Sequence, residues 1–283
     1  DPPSRLDYHT GLAWPQDAAS QVPAVLLAAQ PGEVVVDCCA APGSKSTQIG
    51  LDLGDAGLLV CADAVPARRR VLAECLARQG VACDLVTPLP LPALAEKLEG
   101  AADAVLVDAP CSGHRLVSSG QARASARRQR RLLDLALRLL RPGGRLVYST
   151  CTPWRDEDED VVAGLLADHA DLRVYHVALP GCDADLDGLG GLRLWPQRQG
   201  TEPFFAIRLR RAGEGDRAPI AGDLPPAEAI AADLLPSLGL HVWRRGTTFF
   251  AGSVAVASCA LPSEARRSEE HTSELQSQFH LVC

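Results

Sequence analysis

Val34-Val-Val-Asp37-Cys-Cys-Ala-Ala-Pro-Gly-Ser-Lys45 is the stretch on which the fold turns. A short β-branched run ends in an acid, passes through a loop of small residues, and gives way to a helical stretch from about Ser44. β-Branched side chains suit a pleated surface, and an unbroken apolar run of this length bounded by turn residues fits a strand buried on both faces. Leu58-Leu-Val-Cys-Ala-Asp63 and Ala104-Val-Leu-Val-Asp108 repeat the scheme of apolar strand ending in an acid.

Working outward, a helix is expected from Ala67 to Gln79, stopped by Gly80 as C-cap, and a strand over Ala82 to Val86. After Asp108 come a loop, an arginine-rich helix ending before Pro142-Gly143-Gly144, and a strand from Arg145 to Ser149. The acids Asp156-Glu-Asp-Glu-Asp160 are expected to open the next helix, where carboxylates favour the positive end of the dipole. Leu172 to Val177 and Phe204 to Arg210 read as further strands. Strands alternating with helices at this spacing describe a doubly wound α/β sheet, whose ligands sit at the carboxyl ends of the strands.

The chain has 283 residues, 47% hydrophobic and 22% charged, enough for one large domain and a smaller piece. No apolar run approaches the roughly 20 residues of a membrane helix, and no basic-then-apolar leader is seen, so the cytoplasm is the expected compartment. The ten cysteines are scattered and form no C-x-x-C pair, so they are read as reduced thiols. Residues 1–211 form the main domain in this reading, 212–225 a linker rich in Gly, Pro, Asp and Ala, and 226–266 the start of an accessory domain. Within the latter, Ala227 to Leu235 is expected to be helical and His241 to Ala257 strand-rich. The chain contains no Met and opens at Asp1-Pro2-Pro3, which suggests a piece of a longer protein. Residues 267–283 are set aside, because Arg267 to Ser277 reads like an in-frame translation of a sequencing-adapter oligonucleotide.

A net charge of −7 speaks against a polyanionic partner, but the distribution does not. Between Arg115 and Arg145 there are nine arginines and one acid, Asp134. Such a run fits either a phosphate-binding surface or a solvated helix face.

Three loops carry candidate chemistry. In the first, Asp37 to Lys45, small residues let backbone approach a ligand and helix amides can hold a polar group. Asp63, about 20 residues beyond the glycine, is placed to accept from ribose hydroxyls, so a nucleoside cofactor is favoured, NAD included. The second is Asp108-Ala-Pro-Cys-Ser-Gly113 and the third Ser149-Thr-Cys-Thr-Pro153. A single cysteine is most often a small buried hydrophobe, yet two at neighbouring strand ends beside an aspartate form a pattern that hydride chemistry does not need.

Cys39-Ala-Ala-Pro-Gly-Ser-Lys45, Asp108-Ala-Pro-Cys-Ser-Gly113 and Tyr148-Ser-Thr-Cys-Thr152, followed by Glu157-Asp-Glu-x-Val161, resemble three motifs of the Sun/Fmu (RsmB/RsmF-like) family of RNA cytosine-5 methyltransferases. The similarity extends from about Gly11 through Gln16-Asp17 to Phe204-Phe205. The departures are Asp158, where Asn is common, His114-Arg115, where a glycine-containing stretch is usual, and Thr87, near where an acid often meets the adenine side of the cofactor.

The resemblance implies a Rossmann-like class I methyltransferase fold over residues 1–211, with a mostly parallel seven-stranded sheet and an antiparallel last strand. It implies S-adenosylmethionine as cofactor, held by Cys39, Ala40, Ala41, Pro42, Gly43, Ser44, Lys45, Asp63 and Asp108, and no metal. Cys151 is the implied nucleophile at carbon 6 of cytosine, Cys111 the residue of product release, and Asp108 the partner of the base edge. The partner is RNA, ribosomal ahead of transfer RNA, with a target base that is single-stranded or flipped out. Lys45, Arg127, Arg128 and Arg131 are candidates to contact it, within an arginine-rich clamp from Arg123 to Arg145, and Trp154 either stacks on a base or is half-buried. A monomer is expected. The rival readings are an NAD-dependent oxidoreductase, which lacks its G-x-G-x-x-G here, and an inactive RNA-binding scaffold, which has no need of the intact loops. DNA cytosine methylation is a third, because Pro110-Cys111 offers the nucleophile pair of that class.

Overall fold

A computed structural model describes residues 15–213 apart from 55, 82–83 and 114–118, together with the backbone of 241–245 and 248–252. Five strands run parallel in the order β3 (Asp84–Thr87), β2 (Leu58–Ala62), β1 (Val34–Asp37), β4 (Ala102–Asp108) and β5 (Leu140–Thr150). Beyond β5 the sheet turns antiparallel through β9 (Phe204–Arg211), which pairs along its other side with β6 (Leu172–Val174) near one end and β8 (Leu192–Leu194) near the other, and β8 in turn pairs with β7 (Asp183–Ala184). The sheet is therefore α/β and mostly parallel at its centre, but it has nine strands rather than the seven expected. The two additional strands, β7 and β8, are only two and three residues long, too short for side-chain alternation to reveal.

The helices are α1 (Ala18–Leu27), α2 (Ser44–Leu53), α3 (Pro66–Arg78), α4 (Leu91–Lys97), α5 (Ser119–Leu139), α6 (Glu159–Asp168) and α7 (Pro196–Gln199). Every side chain of β1 and β2 is buried, as a strand covered on both faces requires. Val36, Val60 and Val105 point to one layer with Leu133, Ala136 and Leu165, whereas Val35, Leu59 and Leu106 point to the other with Leu27, Ile49 and Leu72. Each of these Val, Leu and Ile side chains contributes about 1.5–3 kcal/mol of hydrophobic stabilisation.

α1 carries no sequence signal strong enough to mark it, yet Asp17 caps it by accepting from the Ala19 amide at 2.9 Å. At its far end Arg145 donates to the carbonyls of Leu27 and Ala28 and pairs with Glu33, satisfying orphan acceptors of the helix terminus. Arg145 is thus a structural residue of β5, and Arg141 pairs with the buried Asp103 at 2.6 Å, so neither belongs to a clamp. β6 stops at Val174 rather than Val177, because its partner strand β9 ends its pairing there with Leu209. The strand-rich reading of the C-terminal piece corresponds to a hairpin, β10 (His241–Arg245) paired with β11 (Thr248–Gly252). The rest of the linker from 214, the helix over 227–235, the motif start at Gly11, the His114-Arg115 departure and the 267–283 tail lie outside the described residues.

The strand order reverses between β1 and β4. In doubly wound sheets ligands settle in the crevice beyond the strand ends at such a point. Asp37 closes β1, Asp63 follows β2, Asp108 closes β4 and Cys151 follows β5, so parallel pairing delivers all four to one edge.

Candidate active site

On the β1–β2 side, Asp37 is 1% exposed and accepts from Ser46 Oγ at 2.7 Å and from the Cys39 amide at 3.3 Å. Burial raises its carboxyl to about 6, against the lowering effect of the Ser46 hydrogen bond. Ala40 and Ala41 are buried, and Arg68 donates to the Ala41 carbonyl. Gly43 has φ +117°, and a Cβ there would come within 3.0 Å of Cys75 Sγ and 3.2 Å of Leu72 Cδ1. Glycine is required both by the backbone conformation and by the press of the loop on α3. Ser44 then begins α2. Burial pushes the thiols of Cys38 and Cys39 up, so both are protonated structural groups.

Asp63 is 6% exposed; its Oδ1 accepts from the Val65 amide at 2.9 Å and its Oδ2 pairs with Arg68 at 3.2 Å. An ionised carboxylate has room for about four hydrogen bonds, so two acceptor positions remain. Small residues in the first loop, a helix N-terminus and a carboxylate with spare acceptors fit the ribose and amino-acid ends of a nucleoside cofactor. Thr87 ends β3, fully buried, with its hydroxyl accepting from the Leu89 amide at 3.2 Å.

On the β4–β5 side the two candidate thiols meet: Cys111 Sγ and Cys151 Sγ are 3.2 Å apart. The hydrogen bond between the two thiols, in which either sulfur can donate, lowers the Cys151 pKa, with Lys45 adding to the effect against burial and Asp108. The same bond, with burial, raises Cys111, which makes Cys151 the more acidic thiol of the pair. Asp108 Oδ2 pairs with Lys45 Nζ at 2.7 Å, and its Oδ1 accepts from Ser149 Oγ at 2.7 Å. Lys45 also donates to Ser20 Oγ at 3.0 Å and lies 5.6 Å from the centre of the Phe204 ring. It is therefore a half-buried pocket cation rather than a surface one. Cys151 itself is exposed.

The acidic run differs most from its expectation. Arg155–Glu157 forms a 3₁₀ turn, α6 starts only at Glu159, and Glu157, Asp158 and Glu159 are all fully buried. Glu157 accepts from the Ser112 amide at 3.1 Å, from Ser112 Oγ, and from Gln129 Nε2 at 2.8 Å. Asp158 accepts from Thr150 Oγ1 and from Arg193 Nη2 at 2.8 Å, and Glu159 pairs with the same guanidinium at 2.6 Å. Arg193 is 1% exposed and lies over the rings of Trp195 and Phe205, at 5.1 and 5.3 Å. Glu159 is held below the usual range by the Arg193 contacts, although burial opposes them, whereas burial drives Asp158 well above it. The site thus favours a neutral group at 158.

Of the arginine run, Arg123, Arg127, Arg128 and Arg131 are exposed and have no ionic partner among the described residues. Residues 123, 127 and 131 fall four apart on one helix face, opposite buried Ala122, Gln129 and Leu133. Arg130 pairs with Asp134 and Asp168, and Arg138 with Glu99. Trp154 is half-buried. The sequence reading missed Gln129 and Arg193; for the first, a Gln set among four arginines at 127, 128, 130 and 131 was the available signal.

The model of the family described as 16S rRNA methyltransferase RsmB/F matches residues 24–210. The chain belongs to this family. Members of the RsmB/F family are S-adenosylmethionine-dependent methyltransferases. The ribosomal RNA small subunit methyltransferase F of Salmonella paratyphi A is 34% identical over 274 residues, covering 86% of this chain and 57% of its own. Its counterpart from Shewanella amazonensis is 34% identical over 225 residues, covering 74% and 48%. The chain spans about half the length of the curated relatives it matches. Among solved structures, a methyltransferase homolog protein from Pyrococcus horikoshii is similar with a TM-score of 0.67 and 30% identity, over 74% of this chain and 71% of that one. NSun6 from Pyrococcus horikoshii with SFG has a TM-score of 0.69 and 28% identity, over 74% and 56%.

Proposed function

We propose that this chain carries the catalytic domain of an RNA cytosine-5 methyltransferase, with ribosomal RNA as first-choice substrate and transfer RNA as second, acting as a cytoplasmic monomer through a covalent bond between Cys151 and the base. The observation that carries this reading is the thiol pair 3.2 Å apart at the ends of β4 and β5, with Cys151 the more acidic of the two. NAD-dependent hydride transfer does not need such a pair. The printed names of the Salmonella and Shewanella relatives support ribosomal RNA.

Carbon 5 of cytosine is a weak nucleophile until a group adds at carbon 6. Cys151 forms the carbon 6–sulfur bond and pushes the electron pair toward carbon 5. Asp108, paired with Lys45 at 2.7 Å, receives the hydrogen-bonding edge of the base and stabilises positive charge developing on it. When bound, S-adenosylmethionine supplies an electrophilic methyl group to the activated carbon 5. The residues to hold it are Cys39 to Lys45 through loop backbone and helix amides, Asp63 through ribose hydroxyls, and Asp108 at the pocket wall. Cys111, the residue of product release, assists removal of the proton from carbon 5; the carbon 5–hydrogen electron pair forms the carbon 5–carbon 6 double bond, and the carbon 6–sulfur bond breaks with its electron pair returning to Cys151. The exposed row Arg123, Arg127, Arg128 and Arg131 binds the RNA backbone by charge.

The test is trapping on a denaturing gel with methyl-labelled cofactor. Cys151→Ala is expected to abolish transfer and adduct, and Cys111→Ala to leave methylated RNA joined to protein. If Cys111→Ala formed no adduct while Cys151→Ala still methylated, the two roles would be reversed.

A further inference from the structure

The two thiols sit on separate loops, one after β4 and one after β5, and their 3.2 Å separation needs a device that fixes one loop against the other. The structure shows such a device in two consecutive residues. Glu157 holds the Cys111 loop: its carboxylate takes both donors of Ser112, and it shares Gln129, whose Nε2 also reaches the Pro110 carbonyl at 3.2 Å. Cys111 is thereby fastened at the residue before it and the residue after it. Asp158 holds the Cys151 loop: it takes Thr150 Oγ1 and pairs with Arg193, which reaches the Pro153 carbonyl at 3.4 Å. Cys151 is likewise fastened on both sides. Tyr148 OH donates to the Glu157 carbonyl at 2.6 Å and ties the dipeptide to β5.

We propose that Glu157 and Asp158 are positioning residues that together set the spacing of the thiol pair, Glu157 acting through Cys111 and Asp158 through Cys151. The backbone of both residues belongs to the segment that follows Cys151, where the Glu157 amide donates to the Trp154 carbonyl at 3.0 Å, while their side chains part: that of Glu157 reaches the Cys111 loop and that of Asp158 the Cys151 loop. Buried hydrogen bonds to a carboxylate are shorter and stronger than neutral ones, and losing the acceptor leaves buried donors unpaired. The division of labour rests on the thiol roles proposed above; the spacing itself does not.

The test therefore has two readouts. Phenylarsine oxide condenses with two adjacent thiols, forming two arsenic–sulfur bonds and releasing one water, and reports spacing without any turnover. In the full chain, with Cys111→Ala as blank, Glu157→Ala and Asp158→Ala are each expected to weaken capture at least tenfold, and Glu157→Gln and Asp158→Asn to restore most of it. In the RNA assay Glu157→Ala is expected to accumulate adduct as Cys111→Ala does, whereas Asp158→Ala slows adduct formation. Should Glu157→Ala fail to fold by thermal melting, Ser112→Ala removes the same contact from the loop side and is expected to weaken capture in the same direction. Unchanged capture in folded variants overturns the proposal, as does an equal fall of adduct formation and release in both. Changed capture with adduct still formed by Cys151→Ala would leave the spacing device standing and remove only the thiol roles.

Discussion

The arginine-rich helix α5 and the acidic run Asp156 to Asp160 look alike in sequence, each a block of one sign next to a strand end, and the fold treats them in opposite ways. Four arginines of α5 project into solvent without ionic partners among the described residues, whereas three consecutive acids turn inward until no surface remains. The difference lies in what faces them. Long arginine stems let a helix keep its charge in water while burying an apolar stripe. The acids meet Arg193 and the hydroxyl, amide and carboxamide donors of Thr150, Ser112 and Gln129. A run of charge is therefore a surface or a scaffold according to the donors that the rest of the chain brings to it.

The strongest challenge to this contrast is Arg193→Ala, which leaves Asp158 and Glu159 without a cation and is expected to cost about 3–5 kcal/mol in urea unfolding. Lysine, lacking the planar fork that serves two carboxylates, restores little of it. Asp37 gives a pH-dependent version of the same strain. Its folded pKa of about 6 exceeds the ordinary aspartate value of 3.8, so folding takes up a proton. That contribution is complete below the unfolded pKa and is lost as pH rises through about 6; Asp37→Asn should remove the decline, roughly 3 kcal/mol by pH 8. Denaturant midpoints from pH 4 to 8 check the sign. Asp158→Asn is expected to be neutral or stabilising, more so as pH rises, because burial already raises the Asp158 pKa. On the arginine side, replacing Arg127, Arg128 and Arg131 by Gln should shift stability by no more than about 0.5 kcal/mol each. RNA affinity is where those substitutions act, lowering the salt slope of log K by about 2 in a filter-binding titration. A large stability loss there, or none for Arg193→Ala, would erase the contrast.

The parallel half of the sheet was readable because its strands are continuous β-branched or aliphatic runs that end in acids, and Asp37, Asp63 and Asp108 fall where those endings put them. The antiparallel half was not, since β7 and β8 are held by partners rather than by their own pattern. Both thiols were legible as loop residues of neighbouring strands, but their contact depends on register between β4 and β5, which local sequence does not encode. Glu157 was hidden by its neighbours: in a run of five acids nothing marks the one that accepts from Ser112. Lys45 was equally ambiguous, because only the meeting of the first turn of α2 with the end of β4 supplies Asp108 as its partner.

The way β9 is shared has a consequence for how copies of the protein meet. Its outward side is divided between β6 and β8, so little of the longest antiparallel strand is left with unpaired amides. The edge strands β3, β7 and β6 are four, two and three residues long. Among the described residues of this sheet a neighbouring molecule finds only short templates, which discourages aggregation by strand addition onto core strands that are otherwise largely apolar.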